Sequence, residues 1–264
     1  DLSELSDSEI RDVRWAEIST IPQSSMSALN PVYKVGNQIV EAIVRHQDVS
    51  EAEAHERARD LLERVGVEGE RADDFPHEFS GGMKQRVMIA MSLACDPDLL
   101  IADEPTTALD VIVQDEVLNE LEAVQEEMGI SLIIISHDIS VIAESCDRVG
   151  VMYGGKLMEV GDAEDVFQNP ANPYTMGLKN SFPNIEQAQE QLISIPGQPP
   201  TLVDPEPGCI FRERCPFAVQ ECSTEHPPMY QVEGDPNHRS ACYRLDILEE
   251  MRNEAQKEET WLNQ

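Results

Sequence analysis

The sequence predicts an α/β fold built around a parallel β-sheet. Two runs, LLIAD at 99–103 and SLIIIS at 131–136, are apolar almost throughout, as buried strands of parallel sheets are. Apolar residues also recur at helical spacing before and between these runs, at Ala54, Ala58, Leu61 and Val65 and at Val117, Leu121, Val124 and Met128. Strands that alternate with helices favour a sheet covered by helices on both faces.

The other predicted elements follow in chain order. Residues 32–94 indicate a mostly helical segment, in which Gly66 can end one helix and another starts after Ser80-Gly81-Gly82. This second helix, MKQRVMIAMSLA, is apolar on nearly all sides and is therefore predicted to be buried. RVGVMYGGKLMEVG predicts a hairpin that turns at Gly154-Gly155. Prolines become frequent from about Phe167, which predicts an irregular, cysteine-rich C-terminal appendage.

The composition is unusually acidic. Among 264 residues, 51 acidic against 19 basic side chains give a formal net charge of −32, which disfavours non-specific nucleic-acid binding. The acidic residues are spread along the whole chain, a distribution typical of adaptation to high salt, and they predict a halophilic source. The longest apolar runs fall short of the roughly 20 residues that span a bilayer, and no signal peptide is visible. We expect a cytosolic chain that docks on membrane proteins.

An acidic pair ends the first predicted strand, in LLIADEPTTALD at 99–110. Asp103 is placed to bind Mg²⁺ directly or through water. Glu104 is placed to orient or deprotonate a water that attacks a γ-phosphate. The alternative is an acidic cap at a strand end, which is common in a chain this acidic.

The stretch FSGGMKQR, at 79–86, offers an anion site. Ser80 can cap the following helix, while Gly81 and Gly82 allow the backbone to approach a ligand closely. The N–H groups at a helix N-terminus attract anions. Taken alone, however, most turns of this kind only join two elements.

Together, SGG-x-x-QR, the helix that follows, DP-x-LLIADEPT and ALD closely resemble the segment from the signature to Walker B of ATP-binding-cassette (ABC) ATPases. The resemblance implies a P-loop NTPase-like parallel-sheet core with a helical subdomain, which binds ATP and Mg²⁺. It implies that Gln23 is the Q-loop glutamine, which senses Mg²⁺ and the membrane subunit. His137, in IIISHD, matches the switch histidine that contacts the γ-phosphate, and Asp110 ends the D-loop, which communicates across a dimer.

Longer phrases narrow the resemblance to the oligopeptide/dipeptide permease ATPases: SALNPVYKVGNQIVEAI, PHEFSGGMKQRVMIAMSLACDPDLLIADEPTTALDVIVQ, NPYTMGLKNSFP and IPGQPP. Met83 stands where most of the superfamily has Gln, as in this subfamily. Pro22 departs from the pattern, because an aromatic residue usually precedes the Q-loop glutamine.

This family implies the energy-coupling subunit of a peptide importer at the cytoplasmic face of the membrane. The implied partners are transmembrane permease subunits, a second ATP-binding subunit and, indirectly, an extracytoplasmic peptide-binding protein. In the family, each ATP is held by the Walker A and Walker B of one chain and by the signature of its partner.

The same resemblance divides the chain into four segments. Residues 1–31 are the remnant of the N-terminal ATPase core with the Q-loop, and residues 32–95 are the helical subdomain with the signature. Residues 96–165 are the rest of the core, and residues 166–264 are the C-terminal extension.

The phosphate-binding Walker A loop, G-x-x-x-x-G-K-[ST], does not occur in this sequence. No lysine is preceded by Gly and followed by Ser or Thr, at Lys34, Lys84, Lys156, Lys179 or Lys257. In the family the loop lies upstream of a segment resembling residues 1–23. We therefore expect a truncated chain that hydrolyses little or no ATP alone; natural loss of the loop is the alternative.

Four of the six cysteines are spaced C-x₅-C-x₆-C-x₁₉-C, at Cys209, Cys215, Cys222 and Cys242. Disulfides are disfavoured in a cytosolic chain. Four thiolates suit zinc, although the C-x₂₋₄-C spacing of zinc knuckles is missing, and they equally suit a [4Fe–4S] cluster. The family carries a similar region, and the resemblance implies an iron–sulfur cluster there, with zinc and four unliganded thiols as alternatives.

Two other functions stay open at this point. One is a non-catalytic ABC regulatory or scaffold subunit whose cysteines sense redox state. The other is a soluble ABC-type DNA-repair ATPase, which the net charge of −32 and the short helical segment disfavour.

Overall fold

The computed structural model describes residues 2–23, 28–107, 109–181, 193–204 and 206–262. Parts of three predicted segments, the Q-loop stretch IPQSSMSALNP, the ALD of the D-loop and NPYTMGLKNSFP, lie outside these ranges. The chain divides into two compact units, Asp1–Val141 and Ile142–Gln264, which are treated separately below.

The first unit contains a parallel sheet, as predicted. Its strands are β1 (Ile18–Ile21), β2 (Leu99–Asp103) and β3 (Ser131–Ile135), in the order β1-β2-β3. Ile101 of β2 pairs with Thr20 of β1 and with Ile133 of β3. Because all three strands run in the same direction, their carboxyl ends meet at one edge of the sheet.

Helices precede, separate and follow these strands, and the last of them crosses the boundary between the two units. They are α1 (Asp7–Val13), α2 (Val35–His46), α3 (Glu51–Arg64), α4 (Gly81–Ser92), α5 (Val111–Met128) and α6 (Ile139–Ser145). The apolar spacing predicts the buried faces correctly, since α3 buries Ala54, Ala58 and Leu61, and α5 buries Val117, Leu121 and Val124. Gly66 and Gly129, which follow α3 and α5, have φ values of +69° and +66°, in the left-handed region that glycine adopts most readily.

Helix α4 is buried, as its apolar sequence predicts, with Val87, Ile89 and Ala90 fully enclosed. Its start differs slightly from the prediction, which placed it after Gly82. The helix begins at Gly81, so both glycines lie in its first turn, and the Ser80 hydroxyl accepts a hydrogen bond from the Met83 N–H at 3.3 Å.

The prediction that SLIIIS is fully buried, and that helices cover both faces of the sheet, is wrong. On one face Leu100 and Ala102 are buried. On the other, Ile133 and Ile135 are 47% and 49% exposed. Strand β3 lies at an edge of the sheet as far as the described residues go, and its unbroken apolar sequence gives no sign of which face lacks a covering layer.

The second unit contains an antiparallel sheet. Its strands are β4 (Arg148–Tyr153), β5 (Lys156–Asp162), β6 (Tyr230–Gln231) and β7 (Arg239–Ser240), in the order β4-β5-β7-β6. The predicted hairpin at Gly154-Gly155 is confirmed, with φ values of +54° and +75°. Strand β7 extends this hairpin by pairing with β5.

Four helices complete the described part of the second unit: α7 (Ala163–Gln168), α8 (Pro173–Asn180), α9 (Leu248–Ala255) and α10 (Glu258–Leu262). Trp261 and Phe211 are its largest fully buried side chains. In the described residues of both units, every helix is too short or too polar to cross a bilayer.

Candidate functional site

The predicted acidic pair lies at the carboxyl edge of the parallel sheet. Asp103 is the last residue of β2, and Glu104 begins a turn, Glu104–Thr107, which is called the acidic turn below. The Glu104 N–H donates a hydrogen bond to the carbonyl oxygen of Ile135 at 2.8 Å, and φ of Glu104 is +53°. A glutamate rarely adopts this left-handed conformation, so the surrounding contacts must hold it there.

The Glu104 carboxylate has two side-chain partners. The Thr107 hydroxyl donates to Oε2 at 2.5 Å, and Nδ1 of His137 lies 2.7 Å from Oε1 and 2.8 Å from Oε2. The hydrogen bonds from Thr107 and then His137 lower the pKa of Glu104. The same carboxylate raises the pKa of His137 through its hydrogen bond and its charge.

This arrangement favours an ionised carboxylate at the strand end and leaves its imidazole partner exposed. The His137 side chain is 80% exposed, whereas that of Glu104 is only 15% exposed. Rotation of His137 would free a carboxylate oxygen to accept a hydrogen bond from water, which is what a general base requires. Gln23 lies two residues beyond β1, which ends at the same edge of the sheet as Asp103.

The second predicted site is the serine–glycine turn, Ser80–Gly82, at the N-terminus of α4. Its serine caps the helix, and its glycines leave the backbone without side chains where anions are attracted. A Cβ atom added to Gly82 would lie 2.6 Å from Cγ1 of Val113 in α5, so this glycine is also required by packing within the chain.

Asp110 lies at the start of α5 and caps it. Its Oδ1 accepts a hydrogen bond from the Val113 N–H at 3.1 Å. One turn further, Nε2 of Gln114 donates to Oγ1 of Thr106 in the acidic turn at 3.2 Å. Sequence reasoning missed Thr107, Val113 and Gln114, although the hydroxyls of the TT pair beside Glu104 were a usable signal for Thr107.

The four predicted cysteine ligands line one cavity of about 20 Å³ in the second unit, together with Met158 and Phe211. These four cysteines form no disulfide bonds. Burial raises the pKa of Cys209 and Cys215, and it raises that of Cys242 to about 11. Neutral thiols are therefore favoured unless a cation lies among them.

The four cysteine side chains line one cavity, but they are not arranged as ligands of a common metal ion. Within the described ranges, no group of three or more His, Cys, Asp or Glu residues is arranged to hold a metal ion. Asp103 alone is compatible with Mg²⁺, because this ion commonly takes one or two carboxylates and fills its remaining positions with phosphates and water.

A buried polar network, not predicted from the sequence, lies elsewhere in the second unit. Nε2 of His238 is 2.6 Å from Oε1 of Glu159, and both side chains are almost fully enclosed. The Glu159 carboxylate also accepts hydrogen bonds from the N–H groups of Ala171 and Asn172 at 2.5 and 3.1 Å. The network thereby joins β5 to the residue before β7 and to the start of α8.

Comparison with known proteins identifies the family. Residues 2–107 match the model of the ABC transporter family, and residues 158–222 match that of the oligopeptide/dipeptide transporter C-terminal region. The dipeptide transport ATP-binding protein DppD of Bacillus subtilis is 45% identical over 93% of this chain and 73% of its own length. The oligopeptide transport ATP-binding protein OppD of Escherichia coli is 45% identical over 91% of this chain and 71% of its own length.

Solved structures agree with these matches. The dimeric, post-hydrolysis structure of the ATP-binding cassette MJ0796 bound to ADP and Pi aligns with a TM-score of 0.54 and 26% identity, over 61% of this chain and 68% of that one. This chain belongs to the family of ATP-binding proteins of oligopeptide and dipeptide ABC transporters.

Proposed function

We propose that this chain is the energy-coupling subunit of an ABC importer of peptides, with ATP as its nucleotide. The carrying observation is 45% identity to a dipeptide transport ATP-binding protein over 93% of the chain. The contact between Glu104 and His137 at the end of β2 supports it, because a carboxylate beside an imidazole can orient or deprotonate a water that attacks a phosphate.

In this proposal each predicted residue has a distinct task. Asp103 holds Mg²⁺, and Glu104 orients the attacking water or accepts a proton from it. His137 contacts the γ-phosphate, and Gln23 senses the Mg²⁺. Mg²⁺ held by Asp103 would supply positive charge to offset the negative charge of the phosphates. Ser80, Gly81 and Gly82 face the nucleotide of a second ATP-binding subunit, and Asp110 fixes the D-loop between the two.

The sequence has no G-x-x-x-x-G-K-[ST] loop, so we expect these residues alone to hydrolyse little ATP. The four predicted segments, 1–31, 32–95, 96–165 and 166–264, remain our proposal for the domain organisation. The proposed location is the cytoplasmic face of the membrane, where transmembrane permease subunits bind the chain and an extracytoplasmic protein delivers the peptide. The acidic surface fits a halophilic source.

For Cys209, Cys215, Cys222 and Cys242 we propose a [4Fe–4S] cluster, with zinc as the alternative. The support is the cavity that the four cysteines share. Because burial alone favours neutral thiols, a bound cation would be needed to hold them as thiolates. The cluster would cross-link a part of the extension in which the 3₁₀ helices Arg212–Arg214 and Gln220–Ser223 are only short.

The test is ATP-driven uptake of labelled trialanine into membrane vesicles that contain the full-length protein, with its Walker A loop, together with its permease subunits and second ATP-binding subunit. Glu104→Gln and Ser80→Arg should each lower uptake by at least about a hundredfold, the usual contribution of a general base or an essential anion contact. Glu126→Gln, the same change at an exposed position of α5, is the matched control. Normal uptake by the double variant of Glu104 and Ser80 contradicts the proposal.

A further inference from the structure

The first turn of α5 contacts both predicted nucleotide-binding turns. This segment, Val111–Gln114, follows Asp110, which caps it through the Val113 N–H. Further along the same pair of helices, Arg86 of α4 donates to the carboxylates of Glu116, at 2.9 Å, and Glu120. These ion pairs therefore hold α4 and α5 together at a second place, in addition to the contact near their N-termini.

The contact with the serine–glycine turn is made by Val113. Its Cγ1 fills the space where a Cβ of residue 82 would stand, 2.6 Å away, whereas its Cβ is 4.0 Å from that point. A valine in a helix has essentially one allowed rotamer, so Cγ1 cannot swing aside at low cost. Val113 thereby determines how closely α5 approaches the start of α4.

The contact with the acidic turn is made by Gln114. Its amide donates to the buried hydroxyl of Thr106, and the adjacent Thr107 donates to the Glu104 carboxylate. Within the turn, the Thr107 N–H also donates to the Glu104 carbonyl oxygen at 3.2 Å. A displacement of Gln114 is therefore transmitted over one residue to the groups that hold Glu104.

We propose that Val113 and Gln114 are positioning residues, which couple the serine–glycine turn to the acidic turn through the first turn of α5. The functional meaning rests on the proposed function, in which these two turns of one chain serve different nucleotides. A change at one turn would then alter the geometry at the other. The coupling itself is a property of this chain and can be measured without nucleotide.

Hydrogen–deuterium exchange of the Glu104 and Thr107 amides tests the coupling, since both are hydrogen-bonded donors. Gly82→Ala should accelerate their exchange about tenfold, the size that overpacking commonly produces. Gly82→Ala/Val113→Ala should return exchange to within about twofold of the unchanged chain, because the new Cβ would then face Val113 Cβ at 4.0 Å. Unchanged exchange in Gly82→Ala, or no recovery in the double variant, overturns the role of Val113.

Gln114→Ala tests the second contact and stands alone if Gly82→Ala fails to fold. It should accelerate exchange of the Thr107 amide about fivefold, the loss expected for one hydrogen bond. Gln125→Ala, the same change near the other end of α5, should leave that amide unchanged. Equal behaviour of the two variants overturns the role of Gln114. Loss of peptide uptake activity as a whole, with this exchange pattern intact, would count against the proposed function and not against the coupling.

Discussion

Glu104 and His137 lie in direct contact across neighbouring strand ends, with Nδ1 of the imidazole 2.7 Å from Oε1 of the carboxylate. The carboxylate stabilises the protonated imidazole, so the pKa of His137 is raised and that of Glu104 is lowered. The pair remains oppositely charged over a wider pH range than two isolated groups would. The effect of the carboxylate on the pKa of His137 can be measured without any nucleotide.

Glu104→Gln should lower the pKa of His137 toward its ordinary value, because the amide that replaces the carboxylate carries no negative charge. The measurement is an NMR titration of the histidine ring protons in Mg²⁺-free buffer, with His137→Asn to assign the resonance. Asp138→Asn removes a weaker contribution and should produce a smaller decrease. A larger decrease in Asp138→Asn than in Glu104→Gln would show that the described contact is not the main cause.

Cys215→Ser should abolish metal retention, because Cys215 lines the same cavity as the other three predicted ligands. Iron, acid-labile sulfide and zinc are measured in protein purified without oxygen. Cys95→Ser, a change at a buried cysteine of the first unit, should leave the metal content unchanged. Stoichiometric zinc without iron would show that the four cysteines bind zinc and not a cluster. Protein without either metal would show that they are unliganded thiols.

His238→Ala should destabilise the second unit by about 3–5 kcal/mol, because it leaves the Glu159 carboxylate buried without its closest side-chain partner. Urea unfolding can be followed by the fluorescence of Trp261 in a Trp15→Phe background, since the chain has only these 2 tryptophans. Glu254→Ala, which breaks an exposed ion pair with Lys257, should leave the transition unchanged. Equal effects of the two variants would mean that the buried network contributes no more than a surface pair.

Salt should stabilise the whole chain. With a net charge of −32, repulsion between carboxylates opposes the compact state, and added ions screen it. The midpoint of thermal unfolding should therefore rise between 0.1 M and 2 M KCl. Sucrose at matched osmolality separates screening from preferential exclusion, and a midpoint that rises equally in sucrose would argue against the electrostatic cause.

Much of the fold follows from local sequence rules. The run LLIAD carries its own strand signal and delivers Asp103 and Glu104 to the sheet edge, and Ser80 caps α4 as its position suggests. The exposure of Ile133 and Ile135 could not be predicted, because burial depends on what covers a strand and not on the strand itself. In the first unit, an apolar run predicts the presence of a strand more reliably than it predicts how far other elements cover that strand.

The details of the site depend on contacts between distant residues. The left-handed backbone of Glu104 has no sequence signal, because glutamate is a poor residue for that conformation. The contact of Gly82 with Val113 depends on how two helices approach each other, which the sequence does not show. Sequence reasoning explained this glycine by ligand binding alone and so missed its packing role. The network of Glu159 and His238 joins residues 79 positions apart and lies beyond any local pattern.

The apolar face of the parallel sheet, where Ile133 and Ile135 are about half exposed, bears on how this polypeptide behaves in concentrated solution. At low ionic strength, electrostatic repulsion between the strongly anionic molecules opposes association through these apolar faces. A high salt concentration increases the stability of each folded molecule. The same screening of charge also allows the molecules to associate with one another. Light scattering and melting curves should therefore give different salt optima for the same preparation.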